Sequence, residues 1–126
     1  MVLSKLVGLS LAGALGTLVR YGLAGAVQRF GGAAFPWGTF AVNVTGCFLA
    51  GLLWGLCESR WTVTGDMRAV LFVGFMGAFT TFSSVMLETG ELLRSSQWLY
   101  AVANMTLEIG LGLLSLLMGT KLAWAL

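Results

Sequence analysis

Residues Gly74–Ser84 read GFMGAFTTFSS and set two glycines and four hydroxyls inside an otherwise apolar segment. With that segment running from about residue 68 to 93, its midpoint falls near Thr80, at the centre of a bilayer that about 20 helical residues cross. Two readings follow. In one, the helix is unbroken and its Gly, Ser and Thr allow close packing against neighbours. In the other, it is interrupted around Gly77 to Thr80, leaving backbone polar groups that only protein or a cavity can cover. The carbonyl end of the first half then carries partial negative charge, and the freed carbonyls can coordinate a small cation.

The surrounding sequence is that of a membrane protein. The 126 residues are 58% hydrophobic and 10% charged, and the mean hydropathy of +0.91 is too high for a soluble domain. We predict an all-α integral membrane fold, a single domain over 1–126 with spans at about 6–28, 36–57, 68–93 and 98–123. The first apolar run continues past Arg20, beyond the short core of a signal peptide, and is read as retained. Cys47 and Cys57 lie ten residues apart on one helix, too far for a disulfide, and are read as packing residues. With no His and no Cys or carboxylate cluster at ligand spacing, a transition-metal site is not expected. The net charge of +2 and scattered basic residues argue against nucleic acid as a partner. No nucleophile and base pair is apparent, so the chain is not read as an enzyme.

Polar residues inside the spans are the candidate functional groups. Gly8, Ala12, Gly16, Arg20 and Ala24 recur every four residues and share one face of the first span. Arg20 either snorkels to the interface or supplies positive potential near an anion's entrance. The series Asn43, Cys47, Gly51 and Gly55 marks a second narrow face. An amide exposed to lipid is costly, so Asn43 should face protein or water, either as an interhelical hydrogen bond or as part of a pathway. Asn104, Glu108 and Gly112 form the polar face of the fourth span, which Trp98, Tyr100 and Trp124 frame as an aromatic belt. Glu108 is an intramembrane carboxylate, either structural or functional.

Taken with Gly13–Tyr21 (GALGTLVRY) and Gly38–Asn43 (GTFAVN) in the expected order, Gly74–Ser84 resembles the GFxGGxTTFST signature of the Fluc (CrcB) fluoride channels. The resemblance covers essentially the whole chain. It implies a third helix broken at mid-membrane and a central structural sodium held by the backbone carbonyls of Gly77 and Thr80. It also implies that Asn43 lies near the fluoride pathway, and that Arg20 lies near a vestibule. Phe82 matches an aromatic pore position, where a ring's positive edge can face an anion without trapping it. Two departures stand out. Val85 replaces the family's second phenylalanine, and Glu108 replaces its usual small hydroxyl.

Loop charge places Lys5, Arg60, Arg68 and Lys121 on one side against Arg29 and Arg94 on the other, a weak four-to-two bias. A chain inserting both ways would show such a bias. The preferred reading is a passive fluoride channel in the cell inner membrane, multi-pass, built as an antiparallel dual-topology homodimer surrounded by lipid. Asn43, Phe82, Ser83, Ser84, Asn104, Glu108 and Arg20 would line or border the anion path, with sodium at Gly77 and Thr80. Two alternatives remain: a small proton-coupled exporter using Glu108, or a pore-degenerate partner subunit of a heteromeric fluoride channel.

Overall fold

The computed structural model describes residues 2–126. Two long helices open the chain, α1 at Val2–Gly31 and α2 at Trp37–Ser59. The third membrane-length segment is composite. It comprises α3 (Gly65–Ala69), a π-helical stretch at Val70–Met76, α4 (Gly77–Phe79) and α5 (Phe82–Arg94), and α6 (Trp98–Ala125) completes the fold. Four helical segments, Val2–Gly31, Trp37–Ser59, Gly65–Arg94 and Trp98–Ala125, are long and apolar enough to cross a membrane. The chain is a multi-pass membrane protein by that measure, with helices running a few residues beyond the expected spans.

Small residues set how closely these helices approach. On α1, a Cβ at Gly16 would sit 2.5 Å from the Phe75 carbonyl oxygen and 3.1 Å from Ala78 Cβ. Facing it, a Cβ at Gly74 would meet Ala12 Cβ at 3.0 Å. The four-residue series on α1 is thus the face that receives the π-helical stretch and α4. The α2–α6 pair is the most extensive contact and works the same way. A Cβ at Gly51 would clash with the Leu116 carbonyl, one at Gly119 with that of Phe48, and one at Gly55 would stand 2.6 Å from Ala123 Cβ. Such backbone proximity lets hydroxyls bond across the interface: Ser115 Oγ donates to Val44 O at 2.8 Å and Thr120 Oγ1 to Gly51 O at 3.3 Å. With lipid as apolar as the helices, this packing and hydrogen bonding hold the bundle together.

Each connection has its own fastening. The turn after α1 passes through Gly32 at φ 81°, a conformation that glycine adopts without a Cβ penalty. Gln28 then clamps the turn, its Nε2 donating to the carbonyls of Gly32 and Phe35 and its Oε1 accepting from Gly38 N–H at 2.9 Å. Pro36 sits immediately before α2, where its missing N–H is no loss. Thr64 caps α3 by accepting from Met67 N–H at 3.2 Å. Nearby, Lys5 pairs with Asp66 at 2.9 Å, so the starts of α1 and α3 share one end of the bundle. Arg68 donates to Cys57 O at 3.2 Å and lies over the Trp54 ring at 5.6 Å.

Candidate ion pathway

The site is built where the third segment leaves helical geometry. The α conformation stops at Phe79, and Thr80 (φ −88°, ψ 157°) and Thr81 (φ −151°, ψ 114°) are extended before α5 begins at Phe82. Phe79 anchors the incoming end: it is buried with Val42 and Met76, and it stacks on Phe75 with centroids 5.8 Å apart. Thr80 closes the final turn, its N–H and its Oγ1 both donating to Met76 O at 3.0 and 2.8 Å. Thr81 starts the next helix by accepting from Ser84 N–H at 3.2 Å.

Asn43 joins α2 to this extended pair. Its Nδ2 donates to Thr81 O at 3.0 Å, and its Oδ1 accepts from Thr81 N–H at 2.9 Å, so one amide satisfies the donor and the acceptor of one residue. The same Nδ2 donates to Glu108 Oε2 at 3.2 Å. Both Asn43 N–H groups are therefore engaged, one by backbone and one by carboxylate. Glu108 Oε1, by contrast, is buried with no hydrogen-bond partner among the described residues.

These bonds release two carbonyls. In a continuous helix Gly77 O would accept from Thr81 N–H and Thr80 O from Ser84 N–H, but those donors bond Asn43 Oδ1 and Thr81 Oγ1 instead. Gly77 is also exposed on the face of the chain. Backbone carbonyls freed from helical pairing at such a site are the donor set that holds sodium in membrane transporters, so Gly77 and Thr80 fit that ion chemically.

Two concavities flank the Asn43–Thr81 junction, and Thr81 lines both. The larger, about 700 Å³, brings together Arg20, Arg29, Thr39, Ser84 and Glu88. There Thr39 Oγ1 donates to Glu88 Oε1 at 2.5 Å, while Glu88 Oε2 is buried with no partner among the described residues. The smaller, about 300 Å³, is lined by Asn43, Cys47, Thr80, Phe82, Val85 and Glu108. Phe82 is 72% exposed on it, whereas Val85 is 3% exposed.

The expected residues thus divide by location. Asn43, Phe82 and Glu108 share the smaller groove, and Arg20 and Ser84 line the larger cavity. Ser83 is exposed, its Oγ 3.3 Å from Thr81 Oγ1. Asn104 is fully buried and turned towards α5, where its Nδ2 donates to Thr89 Oγ1 at 3.0 Å. Two contributors were not singled out from sequence, Thr39 and Thr81. Thr39 had a usable signal, lying one helical turn before Asn43 on the same face.

A family model described as CrcB-like protein, Camphor Resistance (CrcB), matches residues 7–120. The chain belongs to the CrcB family. Among curated CrcB relatives, one from Desulforapulum autotrophicum named fluoride-specific ion channel FluC is 57% identical over 118 residues, 94% of each chain. A protein of the same name from Nitrosococcus oceani is 50% identical over 115 residues, covering 91% of this chain and 92% of its own. One from Symbiobacterium thermophilum, fluoride-specific ion channel FluC 1, is 44% identical over 117 residues, 92% of this chain and 94% of its own. The CrcB resemblance read from the three sequence motifs is thereby shown, and the relatives are named as ion channels, not enzymes.

Proposed function

We propose that this chain forms a passive fluoride channel of the inner membrane, as an antiparallel homodimer with a structural sodium at Gly77 and Thr80. The observation that carries the reading is the groove in which the Asn43 amide, the Phe82 ring and the extended Thr80–Thr81 pair adjoin. An amide N–H and an aromatic edge offer partial positive charge to an anion without a full cation that would hold it. Fluoride-specific relatives covering nearly the whole chain support fluoride as that anion.

The dimer follows from the bilayer. Irregular backbone at membrane depth must be covered by protein or face water. In one chain the junction opens beside an exposed Phe82 and an exposed Gly77. A second, inverted copy covers both junctions at once, supplying the inverted repeat that larger transporters carry within one chain. Sodium, when bound, would neutralise carbonyl dipoles at that contact. Arg20 and Arg29 draw anions into the larger cavity, from which Thr81 and Asn43 lead to the groove.

Net fluoride movement in liposomes, with an imposed proton gradient as the only driving force and protein-free liposomes as the control for hydrogen fluoride, tests the mechanism. A channel moves fluoride only down its own electrochemical gradient, whatever its rate at each pH; uphill fluoride movement above the control means an exporter.

A further inference from the structure

The position where an entering anion needs a donor is already held by an anion of the chain itself. Glu108, one turn beyond Asn104 on α6, reaches across to α2 and takes the second N–H of Asn43 at 3.2 Å. The first is fixed on Thr81 O. Asn43 has two N–H groups, so with Glu108 in place none is left for a permeating ion. Both residues line the same groove.

We propose that Glu108 is the resident anion of this pathway, a tethered competitor that sets fluoride access to Asn43. The inference rests on the fluoride-channel reading above and deepens it. An ionised Glu108 holds the amide and repels fluoride by like charge. When Glu108 takes a proton from the aqueous side, its oxygen becomes a weaker acceptor, Asn43 Nδ2–H is released, and the new O–H becomes a second donor to fluoride. The proton stays on Glu108 while the ion passes, so no proton is moved with it.

The Asn43 amide is the one hydrogen-bond donor that meets the Glu108 carboxylate among the described residues, and no cation pairs with it there. From α2 it meets Asn43 and shares the groove with Cys47, and the carboxylate that α5 carries nearest this region, Glu88, lines the other cavity. Arg20 lines the other cavity, as Glu88 does. Oε1 of Glu108 is buried and lacks a donor among the described residues. A proton on the carboxyl group and an anion in the groove are both accommodated by this arrangement.

The test uses the purified full chain, with Glu108→Gln and Glu108→Ser, in liposomes and in infrared difference spectroscopy. Glu108→Gln keeps an acceptor of nearly the same shape and removes the charge, guarding against a packing defect in Glu108→Ser. Fluoride efflux of the parent, corrected for protein-free liposomes, should rise about ten- to a hundredfold from neutral to mildly acidic pH, the range that one charge-assisted hydrogen bond spans. Both variants should exceed the parent at neutral pH and lose the pH dependence. In the parent at neutral pH, exchanging chloride for fluoride should convert an ionised carboxylate band into a carboxyl band that Glu108→Gln lacks. If all three conduct fluoride equally with one pH profile, and the carboxylate band ignores fluoride, the competition is wrong while the channel reading stands. If no form conducts fluoride above protein-free liposomes and no band responds to it, the fluoride reading fails together with the inference.

Discussion

The side chain of Asn43 and the backbone of Thr81 form a closed two-bond pair, Nδ2–H to Thr81 O at 3.0 Å and Thr81 N–H to Oδ1 at 2.9 Å. Asn43 is 9% exposed and Thr81 is 9% exposed, so water does not replace those bonds if one partner is lost. Asn43 is therefore a structural fastening of the extended pair as well as a donor in the groove. Asn43→Ala should destabilise the protein by about 2–4 kcal/mol, since two buried backbone groups lose their partners at about 1–3 kcal/mol each, with some relaxation. The check is thermal unfolding in detergent. An unchanged midpoint would mean that the pair does not hold the junction.

Glycine substitutions should separate the helix contacts from lipid-facing positions. Gly51→Leu must push α2 off the Leu116 carbonyl, and Gly16→Leu must push α1 off Phe75. Overpacking of this kind costs about 1–3 kcal/mol or more. Gly110→Ala and Gly90→Ala meet nothing within 4 Å and should be neutral or slightly stabilising. Recovery of monodisperse protein after purification distinguishes the two sets; equal recovery would contradict the packing described.

The proposed sodium site would have a specific signature at Gly77. Within one chain a Cβ at Gly77 meets only Phe72 O, at 3.6 Å, an ordinary contact. Gly77→Val should thus fold as a single chain yet lose the stabilisation that sodium gives over a large organic cation. Thr80→Ser keeps the hydroxyl that donates to Met76 O and leaves the backbone carbonyl in place, so its sodium response should match the parent. Thermal unfolding in the two cations reads both variants. A parent that ignores the exchange would exclude the site.

Dual insertion is read from accessibility. Single cysteines at Ala33 and Gly65, both exposed, in a background with Cys47 and Cys57 replaced, should each be labelled by an impermeant reagent from both sides of the membrane. Labelling of each site from one side only would rule out an antiparallel homodimer.

The helix-packing faces were legible in the sequence because a four-residue repeat of small residues survives any rotation of the helix about its axis. Gly8, Ala12 and Gly16 do meet Val70, Gly74 and Phe75, and Gly51 and Gly55 do face α6. What such a repeat does not carry is the direction of neighbouring side chains once several helices converge. Asn104 and Glu108 share one face of α6, yet the first bonds Thr89 on α5 and the second Asn43 on α2. The π-helical stretch at Val70–Met76 has no sequence signature of its own. It packs on the small face of α1, a contact that exists only in the folded bundle. Gln28 was likewise silent, since its three bonds exist only after the turn has closed.

The most direct test of the account is fluoride efflux, with chloride measured in parallel, from liposomes containing only this purified chain. Ion-selective electrodes follow release after a potassium ionophore collapses the membrane potential, at neutral and mildly acidic pH, against protein-free liposomes that correct for leak of hydrogen fluoride. Fluoride should be released above that background, faster at the lower pH, with chloride retained throughout. Fluoride release equal to background in the parent and in Glu108→Ser alike, or chloride leaving as fast as fluoride, would contradict it.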